Sequence, residues 1–169
     1  MSTHNLYAAL RAGFPADLDG IAIETADGPA GQDFKPLYYT WRDLDRASAR
    51  IANLLDFLEI PPGSRVAVQV DKSVENLILY LAVLRAGHTY LPLNNAYKAA
   101  EIEYFIGNAE PAVVVCSPKN FGWISKIAFQ KSTRHVFTLG DDRSGTLLER
   151  AAVHGDDHAA VSYTHLTLP

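Results

Sequence analysis

Few residues in this chain have the type and spacing that chemistry requires. The single cysteine, Cys116, ends an apolar run, where a free thiol behaves as a small buried hydrophobe. A nucleophile would need a neighbouring base and a setting that favours the thiolate, and no sequence feature supplies either. His154 and His158 stand four apart, a spacing that binds zinc when both project from one face of a formed helix. Gly155 and two aspartates separate them, so the segment reads as loop. Asp141-Asp142 and Asp156-Asp157 are the adjacent carboxylate pairs, and neither sits at a strand end beside other ligands. Both read as solvated loop rather than as a metal site. No G-x-G-x-x-G follows a strand, and no G-x-x-x-x-G-K-[ST] is present, so the sequence shows no loop whose backbone amides would wrap a phosphate. The turn YLPLNN (90–95) leaves a strand on the side where open α/β sheets bind ligands. A structural exit from the strand remains its simpler reading.

The elements that would position these residues follow from periodicity. A short helix is expected at 6–11, strands at 21–25 and 37–39, and a loop at Gly28-Pro29-Ala30-Gly31. Thr40 and Asp43 have the spacing of a capping box and open the clearest helix, 41–58, with Leu44, Ala47, Ile51, Leu54, Leu55 and Leu58 on one face. Pro61-Pro62-Gly63 ends it. Alternating valines mark a strand at 65–70. Ser73 caps a helix over 74–86 whose stripe is Val74, Leu77, Ile78, Leu81 and Leu84, with Gly87 as the C-terminal glycine. Strands follow at 90–93, 112–116 and 135–139. Helices are expected at 99–106, closed by Gly107 and Asn108, at 118–130 and at 145–153.

Strand and helix thus alternate from residue 65 onward with short connections. That pattern predicts an α/β fold with a doubly wound, mostly parallel sheet flanked by helices, and the unbroken VVV of 113–115 fits a central strand. The expected core is Leu44, Ile51, Leu55, Val66, Val68, Leu77, Leu81, Leu84, Leu91, Ile102, Phe105, Val113 and Val115.

At 169 residues and 48% hydrophobic, the chain can bury one ordinary core. Fifteen basic against 19 acidic residues, net -4, give no footprint for nucleic acid. The longest apolar run, 77–84, is far short of the ~18 residues that read as a membrane span, and no secretory signal is visible at the start. One cysteine excludes an internal disulfide. A cytoplasmic setting is expected.

Two segments, LYYTWRDL (37–44) and LRAGHTYLPLN (84–94), separated by the strand VAVQV (66–70), resemble the first two core motifs of the adenylate-forming superfamily: acyl-CoA synthetases, luciferases and peptide-synthetase adenylation domains. The stretch from VQVDKS (68–73) through Tyr97 to VCSP (115–118), and IETADG (23–28) before it, resembles malonyl-CoA synthetases more than fatty-acyl or aryl relatives. The similarity runs over about residues 4–160. It implies an AMP-forming ligase: ATP and a carboxylic acid give an acyl-adenylate and pyrophosphate, and CoA then displaces AMP. The implied substrate is a small dicarboxylic acid, malonate, with ATP, Mg2+ and CoA as cofactors and cosubstrate. A medium-chain or aryl acyl-CoA ligase is the nearest alternative, and a complete small α/β binding module without activity is a second.

No position matches the superfamily's Thr/Ser/Gly-rich phosphate loop, its metal ligands or its catalytic lysine, so no catalytic, cofactor-binding or metal residue is assigned. Residues 1–160 are expected to be the incomplete N-terminal part of an AMP-binding domain, inactive alone. VSYTHLTLP (161–169) departs from the family pattern and resembles the translation of a transposon adapter end used in DNA library preparation. It is expected to be a non-native tail.

Overall fold

The computed structural model describes residues 5–25 and 36–161. The loop expected at 28–31 and all of the tail except Val161 lie outside them. Seven α-helical residues, α1 (Leu6–Ala12), begin on Asn5, whose side chain accepts from the amides of Tyr7 and Ala8. Then come β1 (Ile21–Glu24), β2 (Tyr38–Thr40), α2 (Trp41–Phe57), β3 (Arg65–Gln69), α3 (Val74–Arg85) and β4 (Thr89–Pro92). The remainder is α4 (Ala99–Ala109), β5 (Val113–Cys116), a 3-10 turn (Pro118–Asn120), α5 (Phe121–Gln130), β6 (His135–Thr138) and α6 (Thr146–Ala151).

β1 and β2 form an antiparallel pair, and the other four strands form a parallel sheet in the order β4-β3-β5-β6. Val66 pairs with Tyr90 on one side and Val113 on the other, so β3 lies next to β5, which pairs onward with β6. Side chains alternate between the faces. Val66, Val68, Val113, Val115 and Phe137 pack with α1, α2, α3 and α6, while Ala67, Val114 and Cys116 pack with Leu93, α4 and α5. Every residue of β5 is buried, as the apolar run implied.

The helix ends are set by local chemistry. Thr40 and Asp43 form the reciprocal capping box, and the Ser73 hydroxyl accepts from the Asn76 amide. Gly87 has φ 71 and closes α3: its amide donates to Leu84 O and that of His88 to Val83 O, a Schellman pair.

Two expectations are corrected. The stripe on α3 is rotated: Leu79, Ala82 and Val83 are fully buried, whereas Leu77 is 42% exposed. Leu84, together with Leu91 and Phe105, is only partly buried. The cause is that α3 is wedged between the sheet and both α1 and α2, while Leu77 overhangs the edge strand β4 beside Tyr80 and Tyr90, where the sheet ends. α4 also runs past Gly107 and Asn108 to Ala109 and closes on Glu110 in the left-handed region, φ 45, just before Pro111. A Cβ at Gly107 would meet the Lys131 stem at 3.7 Å, an ordinary contact, so the glycine sits inside the helix without being required there.

The rotated stripe gives a direct expectation. Leu79→Ala lowers unfolding free energy by about 2–5 kcal/mol in denaturant titration, and Leu77→Ala by less than about 1 kcal/mol. The reverse ranking would restore the periodicity assignment.

Candidate functional site

From β3 the chain crosses to one face of the sheet through α3, and from β5 to the other through α5. The carboxyl ends of these adjacent strands therefore flank the crevice where open α/β sheets hold ligands. Here the crevice is closed by amide side chains. Gln69, 1% exposed, donates through Nε2 to Asn94 O at 2.9 Å and accepts from Asn120 Nδ2 at 3.3 Å. Asn95 Nδ2 donates to Val70 O at 3.0 Å and to Asp71 Oδ1 at 2.8 Å. Trp123 Nε1 donates to Asn120 Oδ1. At the rim Lys119 Nζ lies 2.9 Å from Asp71 Oδ2, and this hydrogen bond raises the lysine pKa. Each charge is paired within the crevice, an arrangement that holds a turn rather than attacks a substrate.

A second concavity, a cleft of about 700 Å³, lies between β2, α2, α3 and α6. Its most buried charge is Glu75, 6% exposed, which accepts from Tyr39 Oη at 2.7 Å and faces Arg143 Nε at 3.6 Å. Burial, then the Glu75 carboxylate, pushes the Tyr39 phenol up to about 12, so it stays protonated. Arg46 and Arg50 share Asp156 at 3.5 and 3.9 Å. Sequence reasoning missed this cluster, because Glu75 reads simply as an acid in the first turn of a helix.

The residues singled out in sequence do not converge. Asp142 accepts from the amide and hydroxyl of Ser144, which lower its pKa. The His154 ring packs on Phe57 at 5.4 Å, while His158 Nε2 meets Asp56 Oδ2 at 2.8 Å. Asp156 and His158 are thus docked on α2, which corrects the reading of their segment as a merely solvated loop. The docking works through charge pairs and backbone carbonyls. Among the described residues no three His, Cys, Asp or Glu side chains are grouped to hold a metal ion. At the crevice the Asp71 carboxylate is already engaged by Asn95 and Lys119. No helix among them is long and apolar enough to cross a membrane.

The two core motifs serve architecture. Residues 37–44 form β2 and the capped start of α2, and residues 84–94 form the Schellman closure, the edge strand and the carbonyl that Gln69 grips.

The sequence matches the family described as AMP-binding enzyme over residues 22–164. The apo structure of MatB from Rhodopseudomonas palustris superimposes with a TM-score of 0.84 at 40% identity, covering 96% of this chain and 30% of that one; an ATP-bound structure of the same protein matches equally. The oxalate–CoA ligase of Arabidopsis thaliana is 33% identical over 109 residues, 64% of this chain and 21% of its own length. FR901469 synthetase of Dothideomycetidae sp. (strain 11243) is 34% identical over 115 residues, 68% of this chain and 1% of its own. The chain thus spans under a third of the length of each.

Cys116 is fully buried, and burial pushes its thiol up to about 12. In the native state at pH 8 it is expected to resist a disulfide reagent such as DTNB and to react fully after guanidinium unfolding. Rapid native labelling would mean an accessible thiolate and reopen a chemical role.

Proposed function

This chain belongs to the AMP-binding family of adenylate-forming acid–thiol ligases, and from that premise we propose that it is the opening part of a malonate–CoA ligase. In this reading ATP adenylates malonate with loss of pyrophosphate, and the CoA thiol then displaces AMP to give malonyl-CoA. The charge that builds on phosphorus in the first step needs phosphate-cradling amides, Mg2+ and a cation. Residues beyond the described segment would provide all three, and ATP, Mg2+ and CoA are the cofactors and cosubstrate of the whole enzyme.

The observation that carries the substrate is the contrast in identity among solved relatives. It is 40% to MatB against 25% to a Mycobacterium tuberculosis fatty acyl CoA synthetase, and it supports the reading of residues 68–118, whose stretch resembles malonyl-CoA synthetases. The likeness to an oxalate–CoA ligase also favours a short dicarboxylate. A medium-chain or aryl acid is the alternative within the same chemistry. The described residues serve as scaffold in this reading, with no catalytic, nucleotide-binding or metal-binding residue among them. Residues 161–169 are read as a foreign tail, which resequencing across the junction at Ala160 checks.

The test is thioester formation by the full-length enzyme with malonate, methylmalonate, oxalate, octanoate and anthranilate. Malonate is expected to have the highest kcat/KM, by at least about tenfold over octanoate and anthranilate, the selectivity that about 1.4 kcal/mol gives. A preference for octanoate or anthranilate would remove the malonate reading and leave the ligase. Residues 1–160 alone, with the same reactants, are expected to release no AMP, and measurable release would contradict the scaffold role.

A further inference from the structure

Residues 155–161 run as an extended strap back across α2, α3 and the start of α1. One polar stripe of α2 receives the first part. Arg46 and Arg50 face Asp156, Asn53 Nδ2 donates to Gly155 O at 2.8 Å and Asp157 O at 2.9 Å, and Asp56 meets His158. The last part is held at the end of α3. Asn5 Nδ2 donates to both Leu84 O and Val161 O, and Val161 N donates to Arg85 O at 2.9 Å. These contacts at Val161 use only its backbone, so they are indifferent to which side chain stands there.

Arg85 joins the two parts. It is 7% exposed, and its guanidinium reaches three other segments at once. Nη1 is directed at Tyr7 Oη of α1 (2.9 Å), at Asp45 Oδ1 and O of α2 (2.9 and 2.8 Å) and at Ser48 Oγ (3.3 Å). Nε donates to His158 O of the strap at 2.8 Å, and Nη2 donates to the same oxygen. Tyr7 Oη in turn donates to Asp45 Oδ1 at 2.6 Å, and the Tyr7 ring lies under the guanidinium at 4.8 Å. Arg11, on the next turn of α1, holds the other Asp45 oxygen at 3.2 Å.

From this geometry we propose that Arg85 is a latch that makes α1 and the strap dock and release as one unit, separately from the parallel sheet. A guanidinium taken out of water needs all its donors met, because each one left buried and unmet carries the full cost of desolvation. If the strap lifts, His158 O leaves Nε and Nη2 without their acceptor. Arg85 then turns toward solvent, and Tyr7 and Asp45 lose the cation between them. If α1 lifts, Arg85 loses Tyr7 Oη and the ring beneath it, and Asn5 no longer ties Val161 to Leu84. Favourable coupling in one direction is equal in the other. The sheet is buffered from the event, since α1 reaches it through α3, and β3 and β5 keep α2, α3, α4 and α5 over them when α1 and the strap, with Tyr7 and Ala160, lift from the edge of the core.

Hydrogen exchange of the 169-residue chain, read by mass spectrometry, tests this with three variants. In Arg85→Met, the amides of 7–13 and the Val161 amide, the strap amide that donates to Arg85 O, are both expected to exchange about tenfold faster, with β3 and β5 unchanged. In Asn53→Ala, which touches only the exposed edge of the strap, α1 is expected to accelerate along with the Val161 amide although Asn53 bonds to neither. Tyr7→Phe is expected to accelerate the Val161 amide, the coupling read in the reverse sense. Acceleration confined to the mutated side in Asn53→Ala and Tyr7→Phe overturns the coupling. Acceleration spreading to β3 and β5 in those two variants overturns the claim of a separate unit. Should Arg85→Met fail to fold, the other two decide the question.

Discussion

The structure depends on two adjacent parallel strands that bury both of their faces. Val66, Ala67, Val68 and Gln69 of β3 and Val113, Val114, Val115 and Cys116 of β5 are all at most 2% exposed. Such a pair is stable only between two layers of helix, since each strand carries apolar side chains up and down. The right-handed crossover from β3 must therefore cover one face, and the helices before and after β5 must cover the other. The rest follows: the order β4-β3-β5-β6, the crevice at the carboxyl ends, and the wedging of α3 between sheet and outer helices.

That dependence explains what could be read from the sequence. Valine runs, caps and turn residues are local signals, and they placed the strands, the capping box of Thr40 and Asp43 and the Gly87 closure close to where they stand. The face that α3 buries is not local. It is set by three neighbours at once, so the period that suits a helix against one surface pointed Leu77 inward when it overhangs the sheet edge. α4 overran its glycine because Gly107 keeps a helical φ and the left-handed turn that ends the helix falls on Glu110, just before Pro111. The strap was illegible for another reason. Asn53, Asn5 and Arg85 grip backbone carbonyls there, and a sequence does not display which carbonyls come within reach.

Functionally, the described residues divide their polar groups among internal tasks. Gln69, Asn94, Asn95 and Asn120 seal the crevice, Asp71 and Lys119 cancel at its rim, and Glu75 holds Tyr39 and Arg143. Cys116 is locked as a thiol by burial. In the proposed reading, family membership is carried here by architecture: residues 37–44 and 84–94 shape turns and helix ends. The reactive groups belong, in the reading proposed above, to the remaining two thirds of a ligase the size of MatB.

The central claim is that this scaffold serves an enzyme that activates a short dicarboxylate as its adenylate. Exchange of labelled pyrophosphate into ATP by the intact enzyme, with CoA left out, isolates that step. The account predicts exchange that depends on malonate and Mg2+. Exchange driven only by an amino acid, as a peptide synthetase would show, or none with any carboxylic acid, would contradict it.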